Sequence, residues 1–407
     1  MRRTGPERHR DVVRIAMVNN FFVPRPSGSV HLTEGLAKNL TELGHEVLII
    51  TAAHRDAAAD EMRDGYRVVR LPCFAPPKTR LSFNYDIPIT MSPRNFRRLF
   101  KILDDFGPDV VHQHGQFFDL TWMSAIWARR RHVPAVLTVH TALVHSDRIA
   151  GALLWLGDML LVRPFLAVDR PHIVLIDWFI DGYVRSRYHI PDERLTHIVV
   201  GVDPGRFAGI DRAAARESLE IHDRKMILSV GHVIPLQRDR VALIRALPYL
   251  LRERDDIVVV VVGHVFDDTF LKVADELGVR DKVVATGEVP KDVVPTYVAA
   301  ADVEGHDFHN FGLGTASLEV MAAGVPVVSV VRADNFPGLE LRSWENVVRV
   351  PEHDPRALAA AILKLLDDPA LAAKVGEGQR RFILENFTID TVTRQHEALY
   401  QRAISTA

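Results

Sequence analysis

The side chains most able to do chemistry lie between Phe311 and Val328, in the run FGLGTASLEVMAAGVPVV. Gly312 and Gly314 allow backbone angles closed to other residues and leave room for a ligand to approach. Thr315 and Ser317 stand where a helix would begin. Leu318, Met321 and Ala322 give it an apolar face, Gly324 stops it, and Val325, Val327 and Val328 continue as a strand. A helix N-terminus behind glycines is an anion site, because the N–H groups of Gly314, Thr315 and Ala316 and the helix dipole point outward together. Glu319 lies one turn further in, where its carboxylate could accept hydrogen bonds from ribose hydroxyls. Phosphate plus ribose suggests a nucleotide or nucleotide-sugar. An ordinary βα turn with a solvated Glu fits the same residues.

The histidines form a second group. His112 and His114, in VVHQHG, alternate along a strand end and would point the same way. They could begin a metal site, although a third ligand nearby is missing and the chain has one cysteine, Cys73. His140, in LTVHTAL, closes a buried strand at the edge where chemistry is done. A His there is more often a hydrogen-bonded structural residue. Glu304, His306, Asp307 and His309 could supply metal ligands. A polar wall that hydrogen-bonds sugar hydroxyls is the preferred reading, so no metal site is expected. The segment LSVGHVIPLQRDR adds His232, Gln237, Arg238 and Arg240. An arginine here could hold phosphate oxygens in bidentate fashion, or the segment is a basic, solvated helix start.

These groups need elements to position them. Val13–Val18 reads as a strand, Leu32, Leu36, Leu40 and Leu43 have helical spacing, Gly44 ends the helix, and Val47–Thr51 is the next strand. This βαβ unit implies a parallel sheet. Further strands are expected at Asp109–His112, Ala135–Val139, Ile173–Ile176, Met226–Val230, Ile257–Val262, Val283–Thr286 and Val325–Val331. Continuous Val/Ile runs are what strands covered on both faces look like. A polar stretch at Val202–Ile221 breaks the series, so two doubly wound α/β domains in tandem are expected. In the first, the loop Asn19–Ser29 follows the first strand, and ligands bind beyond such strand ends. Gly28 and Ser29 would meet a ligand there, or Ser27 or Ser29 caps the helix.

The bulk properties suit a soluble, two-domain reading. The chain has 407 residues, 47% hydrophobic and 25% charged, too long for one typical core. Fifty basic against 52 acidic side chains leave a net charge of −2, so no global field points to nucleic acid. One cysteine forbids an internal disulfide and suits a reducing, cytoplasmic compartment. The start, MRRTGPERHR, has no apolar run behind it, so no signal peptide is expected. The segment 149–168 is rich in Leu and Ala but is interrupted by Asp158, Arg163 and Pro164. It reads first as a core helix and second as a membrane-surface contact.

The run ending Ala323-Gly324-Val325-Pro326-Val327-Val328 resembles the C-terminal-domain motif of family 4 glycosyltransferases, retaining enzymes of the GT-B fold. That motif is Glu, seven residues, Glu, then a small-residue helix. Glu319 falls on the second Glu, which the resemblance assigns to the ribose. Phe311 stands at the first, associated in the family with the transferred sugar. His232 stands where the family has an Arg, and Arg238, then Arg240, are the substitutes nearest the family's Lys. Gly28-Ser29 stands at a Gly-Gly that approaches the diphosphate or acceptor, and His140 at a His that contacts the sugar or acceptor. Gly201-Val202-Asp203 with Phe207, Thr286-Gly287-Glu288-Val289 and Phe382–Phe387 extend the likeness over nearly the whole chain. From Pro72 through His140 to Ser146 the chain is also similar to members acting on phosphatidylinositol-type lipids.

The resemblance implies two Rossmann-like doubly wound domains facing a cleft, at 11–203 and 204–383, with a helix at 384–407 crossing back to the first. It implies sugar transfer with retention from a nucleoside-diphosphate donor to a glycan or lipid acceptor, with no cofactor beyond that co-substrate. Contact with the inner membrane face would be peripheral. His140, Arg238 and Arg240 would be catalytic. Gly28, Ser29, His232, Phe311, Gly312, Gly314, Thr315, Ala316 and Glu319 would bind the donor. Three other readings remain: a nucleotide-sugar epimerase of the same shape, a non-catalytic sugar-binding or scaffold protein, and a dinucleotide oxidoreductase suggested faintly by Gly312-x-Gly314 with Asp334.

Overall fold

The computed structural model describes residues 12–25, 28–55, 57–77, 87–144, 148–234, 238, 240–306, 313–331, 335–336 and 338–406. The chain divides into two compact units, 1–200 with 392–407 and 201–391.

In the first unit the strands are β1 (Arg14–Asn19), β2 (Glu46–Ala52), β3 (Asp60–Arg63), β4 (Tyr66–Leu71), β5 (Val110–His114), β6 (Ala135–Val139), β7 (His172–Leu175) and β8 (Leu195–His197). They lie side by side in the order β3-β4-β2-β1-β5-β6-β7-β8. All pairs are parallel except the β3–β4 hairpin at the edge. The helices are α1 (Gly28–Glu42), α2 (Pro93–Phe106), α3 (Asp119–Arg131), α4 (Arg148–Gly157), α5 (Arg163–Asp169) and α6 (Trp178–Tyr188). Ala16, Val18, Leu48, Ile50 and Val111 pack under Leu99, Leu103, Met123 and Trp127, which gives the sheet one apolar layer.

The second unit holds α7 (Arg212–Ser218), β9 (Lys225–Val230), α8 (Val241–Glu253), β10 (Ile257–Val262), α9 (Thr269–Glu276), β11 (Val283–Gly287), α10 (Val294–Ala300), β12 (Val303–His306), α11 (Thr315–Ala322), β13 (Val327–Ser329), β14 (Val348–Arg349), α12 (Pro355–Asp367) and α13 (Pro369–Asn386). The sheet order is β11-β10-β9-β12-β13-β14. All six residues of β10, IVVVVV, are buried, as expected of a strand covered on both faces. The last helix, α14 (Ile389–Ser405), begins in the second unit and from Val392 belongs to the first.

Three expectations need correction. The break between the units falls at 200/201, at the start of the polar stretch 202–221, and not after Asp203. Val202 is buried, Val202 N–H donates to Phe387 O, and the stretch belongs to the second unit. The returning helix does not start at 384. Residues 384–386 finish α13, and the second unit runs to Thr391. The segment 149–168 is not a core helix. It is helical from Arg148 to Asp169, but Ile149, Leu153, Leu160 and Val168 are all more than half exposed. Asp158 and Pro164 do not break it, because a wider turn at Asp158–Val162 hands over to α5, where Pro164 sits in the first turn and needs no N–H partner.

Candidate active site

In the second unit, helix α11 begins at Thr315 with Gly314 as its N-cap residue. Its first-turn N–H groups have no partner within the helix, so they and the dipole favour an anion there. Arg238 lies over this end. A Cβ added to Gly314 would come within 3.1 Å of Arg238 Nη2, so glycine lets the guanidinium close on the helix start. Ser317 Oγ is 3.0 Å from His306 Nε2 at the end of β12, which fixes α11 against the sheet. The cluster thus joins Arg238, Gly314, Thr315 and Ala316 at one place. Phe311 and Gly312, with Gln237, Asp307, His309 and Asp334, lie outside the described residues.

Glu319 is half-buried one turn along α11 and accepts from Arg206 Nη1 at 2.6 Å. Burial pushes its carboxyl up, against the pull of Arg206 and Lys291. An ionised carboxylate accepts about four hydrogen bonds, so one arginine does not fill it.

Arg240 has a different task from the one expected. Its side chain is 1% exposed, its φ is 66°, and its guanidinium donates to the carbonyls of Arg238 at 2.9 Å, Gly231 at 2.9 Å and Val230 at 3.3 Å. It ties the β9–α8 loop together and so holds Arg238 in place. Beside it, Glu304 is fully buried on β12 and accepts from Val230 N–H at 3.2 Å. Burial pushes its carboxyl up to about 8, so it keeps its proton at neutral pH. His232 is exposed and forms a ring cluster with His264 and Phe266, at centroid distances of 6.4 and 5.9 Å.

In the first unit, the strand-end histidines form a buried stack. The rings of His112 and His114 are 4.2 Å apart, and His114 Nδ1 is 2.9 Å from His140 Nε2. Both nitrogens of His112 are taken, by Thr138 Oγ1 at 2.7 Å and by Tyr400 O–H of α14 at 2.7 Å. That leaves His112 no lone pair for a metal, and no group of three potential ligands is found among the described residues. Burial drives the pKa values of His112 and His114 well down and takes those of His140 and His396 to about 4. All four are neutral at pH 7. His140 is partly buried, and each of its ring nitrogens donates or accepts according to which member of the pair carries the shared proton.

Gly28 opens α1 and Ser29 follows within its first turn. Ser29 Oγ accepts from Asn19 Nδ2 at 3.3 Å. Ser27 lies outside the described residues. The loop before α1 is held by Asn20, which donates to Asp119 Oδ1 at 2.6 Å, while Asp119 Oδ2 accepts from the N–H groups of Thr90 and Met91.

Two family models match this chain in tandem, a glycosyl transferase 4-like domain at residues 27–201 and glycosyl transferases group 1 at residues 211–382. The chain belongs to the family 4 glycosyltransferases. One relative, named GDP-mannose-dependent alpha-(1-6)-phosphatidylinositol monomannoside mannosyltransferase, from Mycolicibacterium smegmatis, is 29% identical, covering 91% of this chain and 94% of its own. A D-inositol 3-phosphate glycosyltransferase from Thermobispora bispora is 30% identical over 67% of this chain and 66% of its own. Among solved structures, a glycosyltransferase from Rickettsia africae superposes with a TM-score of 0.71 at 16% identity, covering 97% of this chain and 99% of that one. HepE from Anabaena, in complex with UDP and glucose, gives 0.70 at 15% identity, covering 97% and 100%. These likenesses establish the GT-B fold of this glycosyltransferase.

Sequence reasoning misses Arg206, His396 and Tyr400, and the role of Glu304. Arg206 follows the Gly201-Val202-Asp203 run, but its partner is 113 positions away. Tyr400 is 288 positions from His112. For Glu304, the sequence points to a metal ligand or a polar wall and not to a neutral buried carboxyl. A lone acid in an apolar strand, Val303-Glu304-Gly305, was the available signal of a carboxyl held neutral.

Proposed function

We propose that this glycosyltransferase moves a sugar from a nucleoside-diphosphate donor to a lipid or glycan acceptor with retention of configuration. The observation that carries the reading is the meeting of Arg238 with the glycine-capped start of α11, one turn ahead of Glu319. Such a site takes a diphosphate at the helix end and a ribose at the carboxylate. Departure of the diphosphate builds negative charge on it and oxocarbenium character on the sugar. Arg238 and the first-turn N–H groups of α11 meet that charge without rearranging. In this scheme no metal is called for, so transfer should persist in chelator. Arg240 is a positioning residue that fixes Arg238 through its carbonyl.

His140 would work on the sugar or acceptor. Neutral at working pH, it offers a hydrogen bond to a hydroxyl, and His114 sets its orientation. GDP-mannose and inositol-containing acceptors head the candidates, because the relatives' names contain them. The work is cytoplasmic in this reading.

A second reading, a GT-B protein that binds donor without transferring it, is favoured by Phe311 and His232 at the family's Glu and Arg positions. A thermal-shift screen of UDP-, GDP- and ADP-sugars, with products detected by mass, separates them. Stabilisation with a glycosylated product supports transfer. Stabilisation alone supports the binder, an epimerised donor supports an epimerase, and response only to NAD rejects all three.

A further inference from the structure

The helix Arg148–Asp169 presents an apolar outer side, from Ile149, 74% exposed, through Leu153, Trp155, Leu156 and Leu160 to Val168. Single exposed apolar residues need no explanation, but a continuous face of them does. The opposite side is anchored. Ala150, Val162 and Leu166 are buried, and Asp158, fully buried, accepts from Tyr183 O–H at 2.5 Å and Tyr188 O–H at 2.8 Å. The helix therefore cannot leave the unit to span a bilayer without stranding Asp158 from its partners. It can only lie flat.

The exposed charges along this helix have one sign. Arg148 and Arg163, and Arg170 just beyond the helix, are exposed, whereas its two acids, Asp158 and Asp169, are not. A two-fold contact with a second copy would bring two equally cationic faces together. An anionic lipid surface would instead pair the arginines with headgroup phosphates while the leucines enter the acyl boundary and Trp155 sits at headgroup level. We propose that this outer face is a docking surface for an anionic phospholipid bilayer, on which the helix lies in the interfacial plane. The inference stands apart from the proposed glycosyl transfer.

The test uses the full chain, without donor, in sedimentation with vesicles of phosphatidylcholine alone or mixed with phosphatidylglycerol. Binding is expected to the mixed vesicles, weakening as salt rises. A Leu156→Glu, Leu160→Glu double variant should partition at least about tenfold less. An Arg148→Gln, Arg163→Gln, Arg170→Gln variant, which leaves the apolar face intact, should lose the preference for phosphatidylglycerol. Circular dichroism and melting confirm that each is folded. The proposal is overturned if the native chain stays in the supernatant, if both variants bind as it does, or if size exclusion finds a dimer that the leucine substitutions dissolve. Because no donor is present, none of these outcomes bears on transfer.

Discussion

The first unit buries histidines, His112, His114 and His396, all kept neutral by burial, and both ring nitrogens of His112 meet hydroxyls, of Thr138 and Tyr400. In the second unit, one arginine neighbours a protonated carboxyl and another a helix N-terminus. Arg240 is buried among carbonyls beside Glu304, and Arg238 closes on the start of α11. A neutral imidazole set suits hydroxyl groups, which need donors and acceptors without charge. A cationic set at a helix N-terminus suits an anion. The difference teaches that two sheets of the same plan are specialised by what stands at their strand ends, not by topology.

The largest effect that would sharpen this contrast is at His140. His140→Ala should cut transfer on the order of a hundredfold and leave nucleoside-diphosphate affinity within a few-fold. A lower melting temperature with normal turnover per folded molecule would make it a structural residue. In the second unit the two arginines should part company. Arg238→Ala should lower turnover more than nucleoside binding. Arg240→Ala should first cost stability, about 1.5–3 kcal/mol for lost charged hydrogen bonds. If Arg240→Ala alone gives the turnover pattern, the roles are reversed.

The pH dependence of melting should also divide the units. The histidine pKa values in the first unit are depressed to about 4 for His140 and His396, against an ordinary 6.5. Stability tied to their neutral form is present above 6.5 and lost as pH falls towards 4, because the unfolded chain takes up protons first. Glu304 is raised from 4.5 to about 8. Stability tied to its proton is full below 4.5 and lost as pH rises towards 8. Glu304→Gln should therefore flatten the alkaline limb of a melting profile and leave the acid limb unchanged. The reverse outcome would place the responsible group elsewhere. The smallest effect is expected at Tyr400→Phe, about 0.5–1.5 kcal/mol of stability from its bond to His112, read by denaturant unfolding.

Much of the scaffold was legible because both sheets are built from strands that betray themselves. Ile257–Val262 and Ala135–Val139 match their strands at both ends. Helix α11 starts at Thr315, as its glycines and small residues imply. The hairpin β3–β4 was not legible, because DEMR at a sheet edge is largely exposed, Met62 included, and carries no apolar alternation. The exposure of Arg148–Asp169 was not legible either. Leu- and Ala-rich composition is the same whether a helix is covered on one side or all round, and only Asp158, tied down by Tyr183 and Tyr188, reveals which side faces inward. At the candidate site, Arg238 and Glu319 could be named from local pattern. Their supports, Arg240's carbonyl bonds and Arg206, arise from folding of the loop and from a pairing distant in sequence.

The central claim is that the start of α11 holds a nucleoside diphosphate with its ribose on Glu319. Calorimetric titration of GDP and UDP into the native chain and into Glu319→Ala tests it most directly. The account predicts binding to the native chain that weakens by about 1.5–3 kcal/mol in the variant, with the melting temperature little changed. Equal affinity in a folded variant would contradict it.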